Sequence, residues 1–335
     1  MRTAARIAIA IAPLVVGAST GAAPIENPHQ HKRSDQDPAL NNLVHADGYQ
    51  TAPLGTLGRV EKVGDGPRHM ILIAGAGFGG DVFDGFMSAR RHDFTMHAVT
   101  LPGFDGTPAP PMPETGTSYA EQTWTNAAVD ALLRLIRDEG LEEPVVVAHW
   151  YATTQIAMRL AADHPNAVGS LVIISGIARY GLSIPEGTPP EARVRATDQI
   201  AETWFKTVTR DTWDDNNFLP GDYAIHPVRA LQLWREAADA PLPVWVRYLC
   251  ESWACDVTSL FERIEVPTLV LIPGFDDGFV YGASRSYMHD FCQNSWDGAP
   301  EANELITVQM IEDTRVFMMD DQPERLDEAI DAFLD

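Results

Sequence analysis

Cysteine is scarce: the 335 residues contain three, Cys250, Cys255 and Cys292. So few, and odd in number, they exclude a disulfide framework as the source of stability. One bond is possible, but Cys250 and Cys255 lie too close together in a helix-like stretch to pair without strain. Cys292 with either, or three buried thiols acting as small hydrophobes, are the remaining possibilities. Positive charge is also in short supply. Lys and Arg number 24 against 47 Asp and Glu, a formal net charge of −23. That balance excludes nucleic acid and anionic membrane surfaces as natural partners. The chain shows no internal repeat. Its N-terminal apolar run, from Ile7 to about Val16, is too short for a membrane span.

What is present begins with that N-terminus. "MRTAARIAIAIAPLVVGASTGAAP" resembles a secretory signal: Arg2 and Arg6, an apolar stretch, then small residues before Pro24. The expectation is a signal peptide over 1–23 and an exported protein, periplasmic or secreted, with no membrane attachment after cleavage. Residues 24–53 are polar and lack apolar periodicity, so they read as a linker. "HQHK" within it has the residues of a metal site but reads as solvated tail, and no metal is expected.

Beyond the linker, strands and helices alternate. "HMILIAG" is a continuous apolar run, as expected of a strand buried on both faces. "TMHAVTLPG", "PVVVAHW" and "VGSLVIISG" repeat the pattern, with helix-like segments between them. "SYAEQTWTNAAVDALLRLIRDEG" reads as a long helix with a Ser118/Glu121 capping box at its start and Gly140 at its end. Such βα units imply a mainly parallel sheet flanked by helices. From 177 to 265 the alternation gives way to helical sequence holding five of the eight tryptophans. It resumes with "PTLVLIPGF" and "LITVQMIED". The expected domains are a core of 54–176 and 266–335 and a helical cap of 177–265.

Four stretches carry a resemblance: "LIAGAGFGG", "AHWYA", "LIPGFDDG" and "TRVFMMDDQPERL". Their order is similar to the oxyanion loop, nucleophile elbow, acid loop and histidine segment of the α/β-hydrolase superfamily. The resemblance covers about 57–335 and implies that fold, with the cap inserted after the sixth strand. At the elbow the family reads small–x–nucleophile–x–small. Ala148 and Ala152 occupy the small positions, which puts Trp150 where the nucleophile belongs. An indole donates one N–H and cannot form an acyl-enzyme. Counting back from Pro323 puts Val316 at the place of the histidine, and valine carries no proton to exchange.

The acid position survives as Asp276 or Asp277, of which Asp277 fits the spacing better. Asp-Asp-Gly is also ordinary turn chemistry. The backbone N–H groups of Ala76 and Tyr151 would form the oxyanion hole. His149, His226 and His289 are possible substitutes for the base, with Thr153 and Ser175 as nearby hydroxyls. Losing the serine or the histidine alone costs such enzymes about a millionfold. The first expectation is therefore a non-hydrolytic pseudoenzyme that binds a small apolar or carbonyl-bearing ligand under an aromatic cap, or whose site is filled by Trp150. The alternative is an esterase-like hydrolase or a cofactor-independent lyase with a relocated catalytic group. Neither needs a cofactor, and the glycine-rich 75–80 loop leads into a hydrolase order of elements rather than a nucleotide site. The sequence identifies no protein partner.

Overall fold

The computed structural model describes residues 49–180, 188–207, 220–275 and 291–335. The expected signal peptide, "HQHK", Asp276, Asp277 and His289 lie outside the described residues.

The described strands form one sheet of seven in the order β1-β3-β2-β4-β5-β6-β7. They are β1 (Arg59–Val63), β2 (Arg68–Ile73), β3 (Phe94–Thr100), β4 (Val145–His149), β5 (Ser170–Ile174), β6 (Thr268–Gly274) and β7 (Ile306–Glu312). All neighbours run parallel except β1, which pairs antiparallel with β3. The central strands are buried along their whole length, as their unbroken apolar runs require. The edge strand β1 escapes that pattern. "RVEKV" keeps its charged residues toward water and shields an open sheet edge, so its apolar signal is weak.

The main core helices are α1 (Asp84–Arg90), α2 (Thr123–Asp138), α3 (Tyr151–Asp163) and, near the C-terminus, α7 (Pro323–Leu334). Between β5 and β6 come the cap helices α4 (Pro190–Thr207), α5 (Pro227–Asp239) and α6 (Leu242–Ala254). The helical insertion thus follows the fifth described strand. The expectation of a sixth was a count taken from the family pattern, and no described strand precedes Arg59. The end of the expected linker is also tied down. Ala52 N–H donates to Ala109 O at 2.8 Å, and Ala109 N–H donates to Gln50 O at 2.9 Å.

The capping box at Ser118 is corrected as well. Ser118 accepts from Ala120 N–H and caps only the short turn Tyr119–Glu121. Gln122 then takes a left-handed conformation (φ 48°), and α2 starts at Thr123. The N-terminus of α2 is capped from the cap domain instead. Glu251 on α6 accepts from Trp124 N–H at 2.9 Å and from Thr125 N–H and Oγ1, both at 2.7 Å. The same carboxylate receives Arg247 Nη2 at 2.6 Å. The helix dipole and the guanidinium both favour negative charge there. This fully buried ionic seam joins cap to core across 126 residues of sequence.

Cys250, Cys255 and Cys292 are all free. Burial pushes the Cys250 and Cys255 thiols up to about 12 and raises Cys292 further, so none is a reactive thiolate at neutral pH.

Candidate active site

The end of β4 runs straight into α3 with no loop between them. Trp150, the single residue at the junction, has φ 64° and ψ 152°, and Tyr151 follows with φ 36°. A non-glycine residue in this region of backbone space stores about 1–3 kcal/mol of strain. The sheet holds it there: Trp150 N–H donates to Ile174 O on the neighbouring strand at 3.0 Å. Ala148 and Ala152, both buried, let strand and helix approach this closely. Thr153 Oγ1 sits within 2.6 Å of both the His149 and the Trp150 carbonyl and ties the first turn of the helix back to the strand.

The glycine-rich loop after β2 lies directly on this turn. A Cβ at Gly75 would fall 2.9 Å from His149 Nδ1 and 3.1 Å from Trp150 Cβ, so only glycine fits. Gly77, with φ 100°, meets the cap in the same way: a Cβ there would strike the ring of Trp245 on α6 at 2.3 Å. The loop carrying Ala76 and the turn carrying Tyr151 are therefore brought together, with both residues buried.

The Trp150 side chain is fully buried. It meets Tyr151 edge-on at 4.4 Å between ring centroids and Phe291 at 6.4 Å. Burying an indole of roughly 150–250 Å² contributes about 4–6 kcal/mol, more than the backbone strain costs. Packing wins, and the strained turn persists without needing a catalytic reward. Tyr151 stacks in turn on Tyr180 at 5.5 Å, and their hydroxyls are 3.2 Å apart. Burial raises the Tyr180 phenol to about 12, so it stays protonated.

Val316 is also fully buried, in the segment after β7. Its side chain offers no chemistry, but its carbonyl is a hub. It accepts from Ser175 Oγ at 2.7 Å and from His149 Nε2 at 3.1 Å. A carbonyl only accepts, so His149 carries its proton on Nε2 and leaves Nδ1 bare; Nδ1 has no hydrogen-bond partner. Burial pulls His149 down to about 4, and its ring packs on Phe317 at 4.5 Å. His149 and Ser175 thus donate side by side to one acceptor instead of to each other. Thr153, too, spends its hydroxyl on backbone. His226 is exposed at the start of α5. The expected substitutes therefore do not form a nucleophile–base pair among the described residues.

The cap closes over this segment through backbone bonds. Phe317 N–H donates to Tyr223 O at 2.8 Å, and the rings of Phe78, Tyr223 and Phe317 pack within 6.0 Å of one another, Phe78 edge-to-face with each of the other two. Sequence reasoning missed Phe78, Tyr180, Phe291 and Phe317 as the wall around the turn. The aromatic richness of 177–265 was the available signal for Tyr180, whereas Phe78 and Phe317 come from loops without periodicity and Phe291 from a helical turn. Among the described residues no group of His, Cys, Asp and Glu could hold a metal ion.

A parallel sheet with an antiparallel first strand, a strained strand–turn–helix, a glycine loop folded onto it and a helical insertion before the penultimate strand define one architecture. A model of the alpha/beta hydrolase family matches residues 70–329. The chain belongs to this family.

Its curated relatives within the family are distant. It is 22% identical over 151 residues to the pimeloyl-[acyl-carrier protein] methyl ester esterase of Proteus mirabilis, covering 45% of this chain and 52% of that one. To the enzyme of the same name from Aeromonas hydrophila it is 24% identical over 184 residues, covering 54% and 66%. The chain thus spans about half to two thirds of the length of these relatives. Among solved structures it resembles a thermophilic esterase from Thermogutta terrifontis, with TM-score 0.60, 18% identity and coverage of 82% and 92%. It likewise resembles the enol-lactonase from Burkholderia xenovorans LB400, with TM-score 0.59, 16% identity and coverage of 86% and 99%. These structural likenesses speak for the fold.

Proposed function

We propose that this chain is a non-hydrolytic, exported member of the alpha/beta hydrolase family, in which Trp150 stands in the nucleophile's place and Val316 in the histidine's. The supporting observation is the Trp150 side chain, fully buried at the tip of a strained turn that presents no hydroxyl, thiol or carboxylate. The nearby hydroxyls are committed to backbone carbonyls, and the nearby imidazole is a neutral donor to one of them. The amides of Ala76 and Tyr151 would hold a carbonyl oxygen without chemistry following, and the retained role is binding a small carbonyl-bearing ligand beneath the cap. Export rests on the N-terminal sequence alone. Asp277 keeps the acid's place in this reading, without a histidine to orient.

The curated relatives quoted above are named as esterases, which favours a second reading: ester hydrolysis by a relocated group. A panel of activated esters separates the two. The wild type should stay within about 10³–10⁴-fold of the uncatalysed rate, the remainder that a hole and pocket keep without a triad. Trp150→Ser combined with Val316→His should rise above the wild type. Wild-type turnover that survives Trp150→Phe and tracks one replaceable side chain would establish the second reading instead.

A further inference from the structure

Arg193, in the first turns of cap helix α4, is fully buried. Its Nη1 donates to Tyr180 O at 2.7 Å and to Trp253 O at 3.3 Å. Its Nε and Nη2 are buried and have no hydrogen-bond partner. Those two atoms form the side-on fork of a guanidinium, whose two parallel N–H groups match the two oxygens of a carboxylate. A buried cation with that fork unsatisfied is costly, and proteins rarely leave one so.

Among the described residues no carboxylate bonds this fork. Asp256 attracts Arg193 through space, while its Oδ1 accepts from Thr258 N–H and Oγ1 at 3.1 and 2.6 Å. Arg179 adds a second positive charge that opposes ionisation of the first. Burial likewise pulls Arg193 below its ordinary value. An incoming anion would reverse both penalties. The two residues whose carbonyls hold Nη1 belong to an aromatic cluster: the rings of Tyr180 and Trp253 lie 5.7 Å apart, and those of Trp253 and Trp204 4.7 Å apart. Tyr180 in turn stacks on Tyr151, one residue past the strained turn.

We propose that Arg193 is a binding residue for a carboxylate, taken side-on by Nε and Nη2, on a ligand whose apolar body lies against the aromatic rings of the cap. The proposal rests on the reading that the cap covers a ligand and not on the loss of hydrolysis. A carboxylate is a product of ester cleavage as well as a ligand in its own right, so the site serves either reading of the elbow.

Sodium benzoate and its neutral isostere benzamide are the probes, with binding read by tryptophan fluorescence and by the shift in Tm. Benzoate should bind saturably and at least about tenfold more tightly than benzamide, as expected of a charge-assisted pair. Arg193→Lys keeps the charge but loses the fork, and it should weaken benzoate about tenfold or more while leaving benzamide unchanged. In benzoate-soaked wild-type crystals the carboxylate should lie on Nε and Nη2, which covers the case of a variant that does not fold. No saturable benzoate binding up to tens of millimolar would overturn the proposal. So would equal binding by Arg193→Lys, or a crystal with water on the fork and benzoate elsewhere. None of these outcomes depends on ester turnover, so the failure of this proposal is distinguishable from failure of the non-hydrolytic reading.

Discussion

The elbow at Trp150 and the seam at Glu251 are both buried, and they handle cost in opposite ways. At the seam every expensive group is paired: one carboxylate takes two backbone donors, a hydroxyl and a guanidinium. At the elbow the backbone is strained, and the packing of a buried indole and the bond from Trp150 N–H to Ile174 O oppose the strain. The seam is polar and fully satisfied, as a structural device must be. The elbow combines a strained strand–turn–helix with a fully buried indole at its tip.

The largest effect should come from breaking the seam. Glu251→Ala would leave Arg247 buried and unpaired and strip the cap from α2, costing about 3–5 kcal/mol in urea unfolding. Replacing both partners, Arg247→Met with Glu251→Leu, should cost clearly less, because no orphan charge remains. Equal losses in the two variants would show that the seam contributes through the capping of α2 and not through the pairing with Arg247.

The elbow should respond next, and in an unusual order. Trp150→Ala should lose about 3–5 kcal/mol by opening a cavity. Trp150→Gly removes the same side chain but relieves about 1–3 kcal/mol of strain at φ 64°. The glycine variant should therefore be the more stable of the two by urea midpoint, the reverse of the usual ranking. A less stable glycine variant would mean that the turn is not strained.

A smaller effect involves Glu236, on α5, which accepts from Gly79 N–H at 3.1 Å where the cap meets the glycine loop. Burial, with Asp81 and Asp105 nearby, raises its carboxyl to about 7, against an opposing pull from Arg229. The folded state therefore holds this proton more tightly than the unfolded chain does. Its contribution is fully present below the unfolded value of 4.5 and is lost as pH rises toward 7. Glu236→Gln should flatten that fall in stability between about pH 5 and pH 7. His149 runs the other way: with its folded value lowered to about 4, stability should fall as pH drops from about 6.5 toward 4.

The same contrast explains how much the sequence could tell. The parallel core was legible because "MILI", "VVVA" and "LVII" sit in strands buried on both faces, and burial writes itself as unbroken apolar runs. The turn was legible because Ala148 and Ala152 must be small to let strand and helix meet. The edge strand at Arg59 was missed because its charges suit an edge. The seam was missed because Glu251 pairs with backbone 126 residues away, and no local pattern records that. Ser118 drew the capping assignment because it satisfies a local rule, while the actual cap is tertiary. The hydrogen bonds that commit His149 and Ser175 to the Val316 carbonyl depend on three segments meeting, which spacing cannot reveal.

The central claim is that the elbow carries no working nucleophile, and covalent labelling tests it most directly. Intact-mass measurement after exposure of the native protein to a fluorophosphonate should show no adduct, while Trp150→Ser with Val316→His should gain one at residue 150. A stoichiometric adduct on the wild-type protein, mapped to any residue of this chain, would contradict the account.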